Sequence, residues 1–166
     1  MKVNIALLTV TDTRNINTDK SGGILTNKIK EANHNLVDRK ICKDNKKDIK
    51  KILKVWTKKK NIDVIITTGG TGLTGRDITP EALDEIADKH IPGFGEVFRY
   101  VSLETVGTSS IQSRACAVLS NGKYIFALPG SSGGVTDAWD KILIHQLDIN
   151  NKPCNFVELL PRLKEK

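Results

Sequence analysis

The sequence predicts a three-layer α/β/α fold built on a mostly parallel sheet. Apolar runs rich in β-branched residues recur at 3–10, 36–42 and 62–67, and each is followed by a segment with helical spacing of apolar residues. This alternation is typical of βαβ units, in which helices cover both faces of a parallel sheet. Two shorter apolar runs, 115–120 and 124–128, flank an Asn-Gly turn and predict a hairpin that adds one antiparallel strand.

Helical spacing predicts five helices, at 21–32, 43–60, 79–87, 97–103 and 135–147. Thr79-Pro80-Glu81 predicts the start of the third helix, with Thr79 as its N-cap and Pro80 in the first helical position. Trp139 falls on the apolar stripe of the last helix and is expected in the core. Residues 148–166 contain two prolines and are expected to form an extended tail that packs on the body or on a partner.

The 166 residues are expected to form a single domain, 1–166. No stretch has the length and hydropathy of a membrane span and the amino terminus lacks a secretory leader pattern, so we expect a cytoplasmic protein without membrane contacts. The three cysteines lie far apart in no metal-binding spacing and are expected to be free, buried thiols.

The net charge of +7 and the pI of 9.3 raise the question of a nucleic-acid partner. Much of the excess is lysine in the helix predicted at 43–60, where it fills the positions between apolar residues. Aromatic residues make up only 5% of the chain, which leaves few stacking platforms for bases. We therefore do not expect nucleic acid as a partner, and interpret the lysines as a basic surface that also suits small anionic substrates.

Two glycine-rich loops, 68–72 and 130–134, each lead from a predicted strand into a helix. Their candidate ligand-binding residues are Thr68, Gly69, Gly70, Thr71 and Gly72 in the first loop, and Pro129, Gly130, Ser131 and Ser132 in the second. Turn formation alone also requires glycine, but two such loops in one domain favour an anionic ligand that touches both. Neither loop has the spacing of a P-loop or of a dinucleotide-binding fingerprint.

Three aspartates follow predicted strands or their loops: Asp12, Asp44 and Asp77. If the strands are parallel neighbours, these carboxylates meet at one edge of the sheet beside the glycine loops. Carboxylates repel phosphates unless a cation intervenes, so the pattern indicates Mg2+-assisted phosphoryl or nucleotidyl transfer. Alternatives remain: Asp44 is also a suitable N-cap for the next helix, and Asp12 could bond its own turn.

Positively charged and hydroxyl donors for a phosphate are also present. Arg76, Ser113 and Arg114 are candidates, because the planar fork of arginine fits phosphate oxygens. For Arg114 an ordinary surface salt bridge is an equal alternative.

Several motifs, in this order, resemble the MoaB/MogA family of molybdenum cofactor biosynthesis proteins. They are Thr68-Gly69-Gly70-Thr71-Gly72, Arg76-Asp77-Ile78-Thr79-Pro80-Glu81-Ala82, Pro92-Gly93-Phe94-Gly95-Glu96, Ser113-Arg114 and Leu128-Pro129-Gly130-Ser131. The resemblance covers residues 5–156, and Gly107-Thr108-Ser109 and Gln112-Ser113-Arg114-Ala115 look most like the MoaB branch.

The resemblance implies a molybdopterin adenylyltransferase that uses ATP and Mg2+ and assembles as a homo-oligomer, a trimer or a hexamer. It implies that Asp44 and Asp77 are the metal-binding and catalytic carboxylates. Residues 69–72, Ser113 and the 128–132 loop would contact phosphate and pterin, and we count Asp12, Glu81 and Arg114 with them as candidate binding residues. The alternative from another functional class is a non-catalytic molybdopterin-binding or carrier protein of the same fold.

Overall fold

The computed structural model describes residues 1–165 and contains one six-stranded sheet in the order β2-β1-β3-β6-β5-β4. Its strands are β1 (Asn4–Val10), β2 (Asn35–Cys42), β3 (Val64–Thr68), β4 (Lys89–His90), β5 (Cys116–Ser120) and β6 (Lys123–Leu128). The pairs β2-β1, β1-β3 and β3-β6 are parallel, whereas β5 is antiparallel to both of its neighbours. The predicted α/β architecture with one antiparallel hairpin strand is confirmed.

Helices cover both faces of the sheet. They are α1 (Lys20–Glu31), α2 (Lys46–Lys58), α3 (Thr79–Asp84), α4 (Pro92–Val106), α5 (Ser132–Ala138), α6 (Ile144–Gln146) and α7 (Phe156–Leu159), with a π-helical segment at Trp139–Leu143 and 3-10 turns at Gly107–Gln112 and Leu160–Arg162. The amphipathic stripe of α2 and the short α3 pack on one face, and α1, α4, α5 and α7 pack on the other.

The core consists of two layers because successive side chains of a strand point to opposite faces. Ile5 and Leu7 of β1 join the cluster under α1, α4 and α5, while Ala6 and Leu8 join the cluster under α2 and α3. All four are fully buried, as expected for a strand covered on both sides. Trp139 is 1% exposed, which confirms its predicted place in the core.

The predictions for Thr79 and for the carboxyl-terminal tail are wrong. Thr79 does not cap α3: it is the first helical residue, and its hydroxyl donates a 2.9 Å hydrogen bond to the Gly69 carbonyl. The tail is not extended throughout, since it contains α7, and the Phe156 ring packs 4.7 Å from the Tyr124 ring, centroid to centroid. Apolar packing against the sheet stabilises the short helix of the tail, which the two prolines in its sequence argued against.

The three cysteines are free, as expected, but none is fully buried: Cys42 and Cys116 are half-buried and Cys154 is exposed. Strand β4 has only two residues and was not predicted. No helix within residues 1–165 is both long enough and apolar enough to cross a membrane.

Candidate active site

The register of the parallel strands brings four loops to one edge of the sheet. Thr9 of β1 lies beside Thr68 of β3, which in turn lies beside Leu128 of β6, and Val10 of β1 lies beside Cys42 of β2. The loops that follow these strands therefore leave the sheet together. Ligands of open α/β sheets bind at this carboxyl edge.

The first glycine loop has a backbone that other residues rarely adopt. Gly69 and Gly70 have φ angles of 101° and 69°. A Cβ atom on Gly69 would lie 2.2 Å from the Val10 carbonyl oxygen, so the loop can approach β1 only because it has no side chain there.

The two glycine loops contact each other directly. The Thr68 hydroxyl donates to the Pro129 carbonyl at 2.7 Å, and the Gly69 N–H donates to the Leu128 carbonyl at 3.0 Å. From the other side the Ser21 hydroxyl of α1 donates to the Gly130 carbonyl at 2.6 Å. These bonds fix the second loop relative to the first, so both can face one ligand.

One oxygen of the Asp44 carboxylate has no donor. Its Oδ1 atom is buried, and no donor within residues 1–165 forms a hydrogen bond to it. Burial and the neighbouring carboxylates of Asp77 and Asp12 raise the pKa of Asp44. The N-cap alternative for Asp44 is wrong, because Asn45 accepts the Lys47 and Asp48 amides at the start of α2.

Asp12 supports Asp44 and is not bonded to its own turn. Its Oδ1 accepts a 3.1 Å hydrogen bond from the Asp44 N–H, and its Oδ2 lies 3.0 Å from Nη2 of Arg76. Arg76 is largely exposed, so this ion pair is at the mouth of the site. The contact links the loop after β1 to the loop after β3.

Asp77 is held firmly in its charged form. Its Oδ2 accepts hydrogen bonds from the backbone N–H and the hydroxyl of Thr74, at 2.9 and 2.7 Å. Burial alone would raise the pKa of Asp77, but these hydrogen bonds, together with one from the Gly72 backbone and the charge of Arg114, hold the pKa below its ordinary value. The carboxylate also lies against Gly72, where a Cβ atom would come within 2.7 Å of Oδ2.

Two adjoining cavities open at this edge, with volumes of about 550 and 1040 Å³. The smaller is lined by Asp12, Asp44, Thr68 and Gly69 together with Arg14, Lys20 and Arg76. The larger is lined by Thr71, Gly72, Ser113 and Pro129 with Phe98 and Val106 of α4. Both cavities share Gly70, Asp77, Gly130, Ser131 and Ser132, so the aspartate and both loops form their junction.

Arg114 and Glu81, which the sequence counts among the candidate binding residues, do not line either of these cavities. Arg114 donates to the carbonyls of Gly72 and Asp77, at 2.7 and 2.9 Å, and forms an ion pair with Glu81. That hydrogen-bonded pair holds the pKa of Glu81 below its ordinary value. Ser131 faces both cavities, but its hydroxyl also serves as the N-cap of α5 by accepting the Gly134 amide at 3.1 Å.

Sequence reasoning missed Asp19, which lines the smaller cavity and is 6% exposed. Its carboxylate caps α1 through the Gly22 amide, accepts the Thr9 hydroxyl at 2.6 Å and pairs with Arg39 at 3.0 Å. The position of Asp19 before Ser21-Gly22-Gly23 is a recognisable N-cap signal. Within residues 1–165, no group of three or more His, Cys, Asp and Glu side chains is placed to hold a metal ion.

Comparisons with known proteins show the family of the chain. Residues 6–149 match the family model of the probable molybdopterin binding domain. The chain is 45% identical over 152 residues to molybdenum cofactor biosynthesis protein B of Escherichia coli strain K12, covering 92% of this chain and 89% of that protein. The Bacillus cereus protein of the same name is 42% identical over 147 residues, covering 88% and 87%.

Solved structures give the same result. A crystal structure of a molybdenum cofactor biosynthesis protein B superposes with a TM-score of 0.90 at 38% identity, covering 100% of this chain and 98% of that chain. The tungsten cofactor synthesizing protein MoaB of Pyrococcus furiosus superposes with a TM-score of 0.76 at 34% identity, covering 86% and 91%. The chain belongs to the MoaB/MogA family of molybdenum cofactor biosynthesis proteins.

Proposed function

We propose that this protein adenylylates molybdopterin with ATP. A phosphate oxygen of molybdopterin attacks the α-phosphorus of ATP and forms a new P–O bond. The bond from that phosphorus to the oxygen bridging it to the β-phosphate breaks, and pyrophosphate leaves with the bond electrons. The products are adenylyl-molybdopterin and pyrophosphate.

The observation that carries this proposal is the junction of the two cavities. Each substrate has an organic part and an anionic phosphate part. Gly70, Asp77 and Gly130 line both cavities, so in this proposal the phosphates of the two substrates meet at these residues. Cβ atoms on Gly70 and Gly72 would lie 3.0 Å from the Asp44 carboxylate and 2.7 Å from the Asp77 carboxylate. Glycine therefore lets the backbone and both carboxylates line the same small space.

The donor set fits a hard divalent cation. Asp44 offers a buried carboxylate oxygen without a donor, and Asp77 offers a second carboxylate that stays ionised. Mg2+ is commonly held by one or two carboxylates together with substrate phosphates. In this proposal Asp44 and Asp77 hold Mg2+, which neutralises charge on the phosphates when bound.

The remaining work of the chain is positioning and charge control. The Thr74 hydroxyl donates to the Asp77 carboxylate and keeps it ionised and oriented. The Asp12 carboxylate accepts the Asp44 N–H and so holds the backbone at Asp44. Thr68 and Ser21 keep the second loop in register with the first. Holding two reacting groups in a fixed geometry is a large part of catalysis in phosphoryl and nucleotidyl transfer.

The test is pyrophosphate release from ATP by the purified protein in the presence of molybdopterin and Mg2+. Asp77→Asn should abolish turnover but leave molybdopterin binding intact, because the amide keeps the shape of the side chain and removes its charge. Molybdopterin binding by the wild type without pyrophosphate release would reject the enzyme and support a non-catalytic binding protein. An equal loss of binding and turnover in Asp77→Asn would make Asp77 a structural carboxylate.

Family membership also leads us to propose a homo-oligomer, a trimer or a hexamer. An exposed apolar surface supports self-association: Val97, Tyr100 and Leu103 of α4 are 46, 72 and 46% exposed, and Ile111 is 77% exposed. Sedimentation of the wild type and of Tyr100→Glu tests this. A monomeric wild type would reject the oligomer, and an unaltered assembly of Tyr100→Glu would exclude this surface as the interface.

A further inference from the structure

We propose that Arg114, oriented by Glu81, is a positioning residue that holds Asp77 and the first glycine loop in the geometry required for transfer. The contacts of Arg114 carry the inference, and its catalytic consequence rests on the function proposed above. Neither residue touches the cavities, so Arg114 acts through the loop and not on the substrate.

Arg114 forms hydrogen bonds to the first glycine loop and to the segment that follows it. The Arg114 backbone N–H donates to the Thr71 carbonyl at 2.9 Å. Its Nε donates to the Gly72 carbonyl at 2.7 Å, and its Nη2 donates to the Asp77 carbonyl at 2.9 Å. The side chain thereby ties together the two ends of the segment 72–77.

The other contacts of that segment include the hydrogen bonds of Thr74 to the Asp77 carboxylate and the exposed ion pair of Arg76 with Asp12. The tip of the segment is exposed, with Leu73 66% exposed and the Arg76 side chain 78% exposed. Inside the turn the Asp77 N–H donates to the Thr74 carbonyl, and below it the Thr79 N–H donates to the Gly70 carbonyl, both at 3.0 Å. Between these two contacts, Arg114 bonds to the carbonyls of Gly72 and of Asp77, the residue that carries the carboxylate.

The geometry requires a guanidinium group. Nε, Nη1 and Nη2 donate to three different acceptors, namely the Gly72 carbonyl, the Glu81 carboxylate and the Asp77 carbonyl. A lysine ammonium is a single point of charge on a flexible chain and cannot reach these acceptors in the same fixed fork. Glu81, in the first turn of α3, fixes the rotation of the fork by pairing with Nη1.

The experiment compares the wild type with Arg114→Lys, Arg114→Gln and Glu81→Gln. Arg162→Gln is the matched control, because Arg162 also pairs with a glutamate, Glu165, but lies in the carboxyl-terminal turn away from both cavities. Three quantities are measured for each protein: kcat and KM for pyrophosphate release, backbone amide exchange at Thr74 and Asp77, and the thermal midpoint.

We expect both Arg114 variants to lower kcat by at least about tenfold, the loss that corresponds to one charge-assisted hydrogen bond. KM for ATP should change by less than about threefold, because no contact to substrate is removed. Amide exchange at Thr74 and Asp77 should accelerate by at least about tenfold. Arg114→Lys should resemble Arg114→Gln, Glu81→Gln should show a smaller change in the same direction, and Arg162→Gln should match the wild type.

Three results would overturn the proposal. Wild-type kcat and exchange in Arg114→Lys would show that charge alone is sufficient. A loss confined to KM would place Arg114 on the substrate. A kcat loss that follows the thermal midpoint, with unchanged exchange at Thr74 and Asp77, would show a general destabilisation.

The amide exchange keeps this inference separate from the proposed function. If the wild type releases no pyrophosphate, the adenylyltransferase proposal fails, and the exchange at Thr74 and Asp77 still tests whether Arg114 holds the loop. Exchange that stays at the wild-type rate in both Arg114 variants would overturn the positioning role regardless of activity.

Discussion

Replacing Gly70 by alanine tests the backbone geometry on which the site depends. Gly70 has a φ angle of 69°, and a Cβ atom there would lie 2.4 Å from the Thr79 hydroxyl oxygen and 3.0 Å from Oδ1 of Asp44. Thr79 is fully buried, so its side chain must rotate and lose its hydrogen bond to the Gly69 carbonyl.

Two costs add in this variant. The left-handed conformation costs a non-glycine residue about 1–2 kcal/mol. The lost hydrogen bond of Thr79 adds about 0.5–1.5 kcal/mol. We therefore expect Gly70→Ala to lower the free energy of unfolding by about 1.5–3.5 kcal/mol relative to a glycine-to-alanine change at a permissive position.

Gly75→Ala supplies that reference, because Gly75 lies in the same loop and a Cβ atom there would have no neighbour within 4 Å. Both variants lose the same backbone freedom in the unfolded chain, so their difference isolates the native-state cost. Urea unfolding of both, at one protein concentration, gives the free energies. A difference below about 0.5 kcal/mol, the usual scatter of surface substitutions, would contradict the left-handed loop and its contact with Thr79.

Three further predictions concern single side chains. Asp44→Asn should reduce turnover about 10²–10³-fold, the size measured for one group that stabilises transition-state charge. The same change should stabilise the fold near pH 7, because the folded-state pKa of Asp44 is raised from 3.8 and its charged form is therefore destabilising there. Urea unfolding should show this gain in stability disappear below pH 3.8. Phe156→Ala should cost about 2–4 kcal/mol in urea unfolding by removing the contact of the tail with Tyr124. Thr68→Val should cost about 1–3 kcal/mol, since it leaves the Pro129 carbonyl without its donor.

The framework of the fold could be predicted because its signals are local. Each strand in the centre of the sheet is a short apolar run, and the Asn121-Gly122 turn identifies the hairpin. The place of the aspartates at one edge of the sheet followed from the parallel order alone. Strand β4 was missed because two residues, Lys89 and His90, carry no periodicity.

Sequence reasoning reaches its limit where tertiary contacts decide a role. Thr79 has the sequence position of an N-cap, but its hydroxyl has a competing acceptor in the Gly69 carbonyl, which is ten residues away. Arg114 has the chemistry of a phosphate ligand, yet three backbone and side-chain acceptors of the folded loop occupy its donors. No local sequence pattern distinguishes a guanidinium group that binds substrate from one that is bonded to the backbone of a neighbouring loop.

The acidic residues show the same limit. The sequence left Asp44 open between a helix cap and a site residue, and the structure excludes the helix cap because Asn45 occupies that position. Asp19 was overlooked although it is a clear N-cap, because its contacts to Thr9 and Arg39 join three separate elements. Pairings between distant segments can be recognised only after folding.

The most direct test of the central claim is a crystal structure of the protein with Mg2+ and a non-hydrolysable ATP analogue. We predict a cation bound by the carboxylates of Asp44 and Asp77 at about 2.0–2.1 Å and also by phosphate oxygens, with the phosphates at the junction of the two glycine loops. A nucleotide bound outside this junction, or phosphates bound there with neither carboxylate reaching the cation, would contradict it.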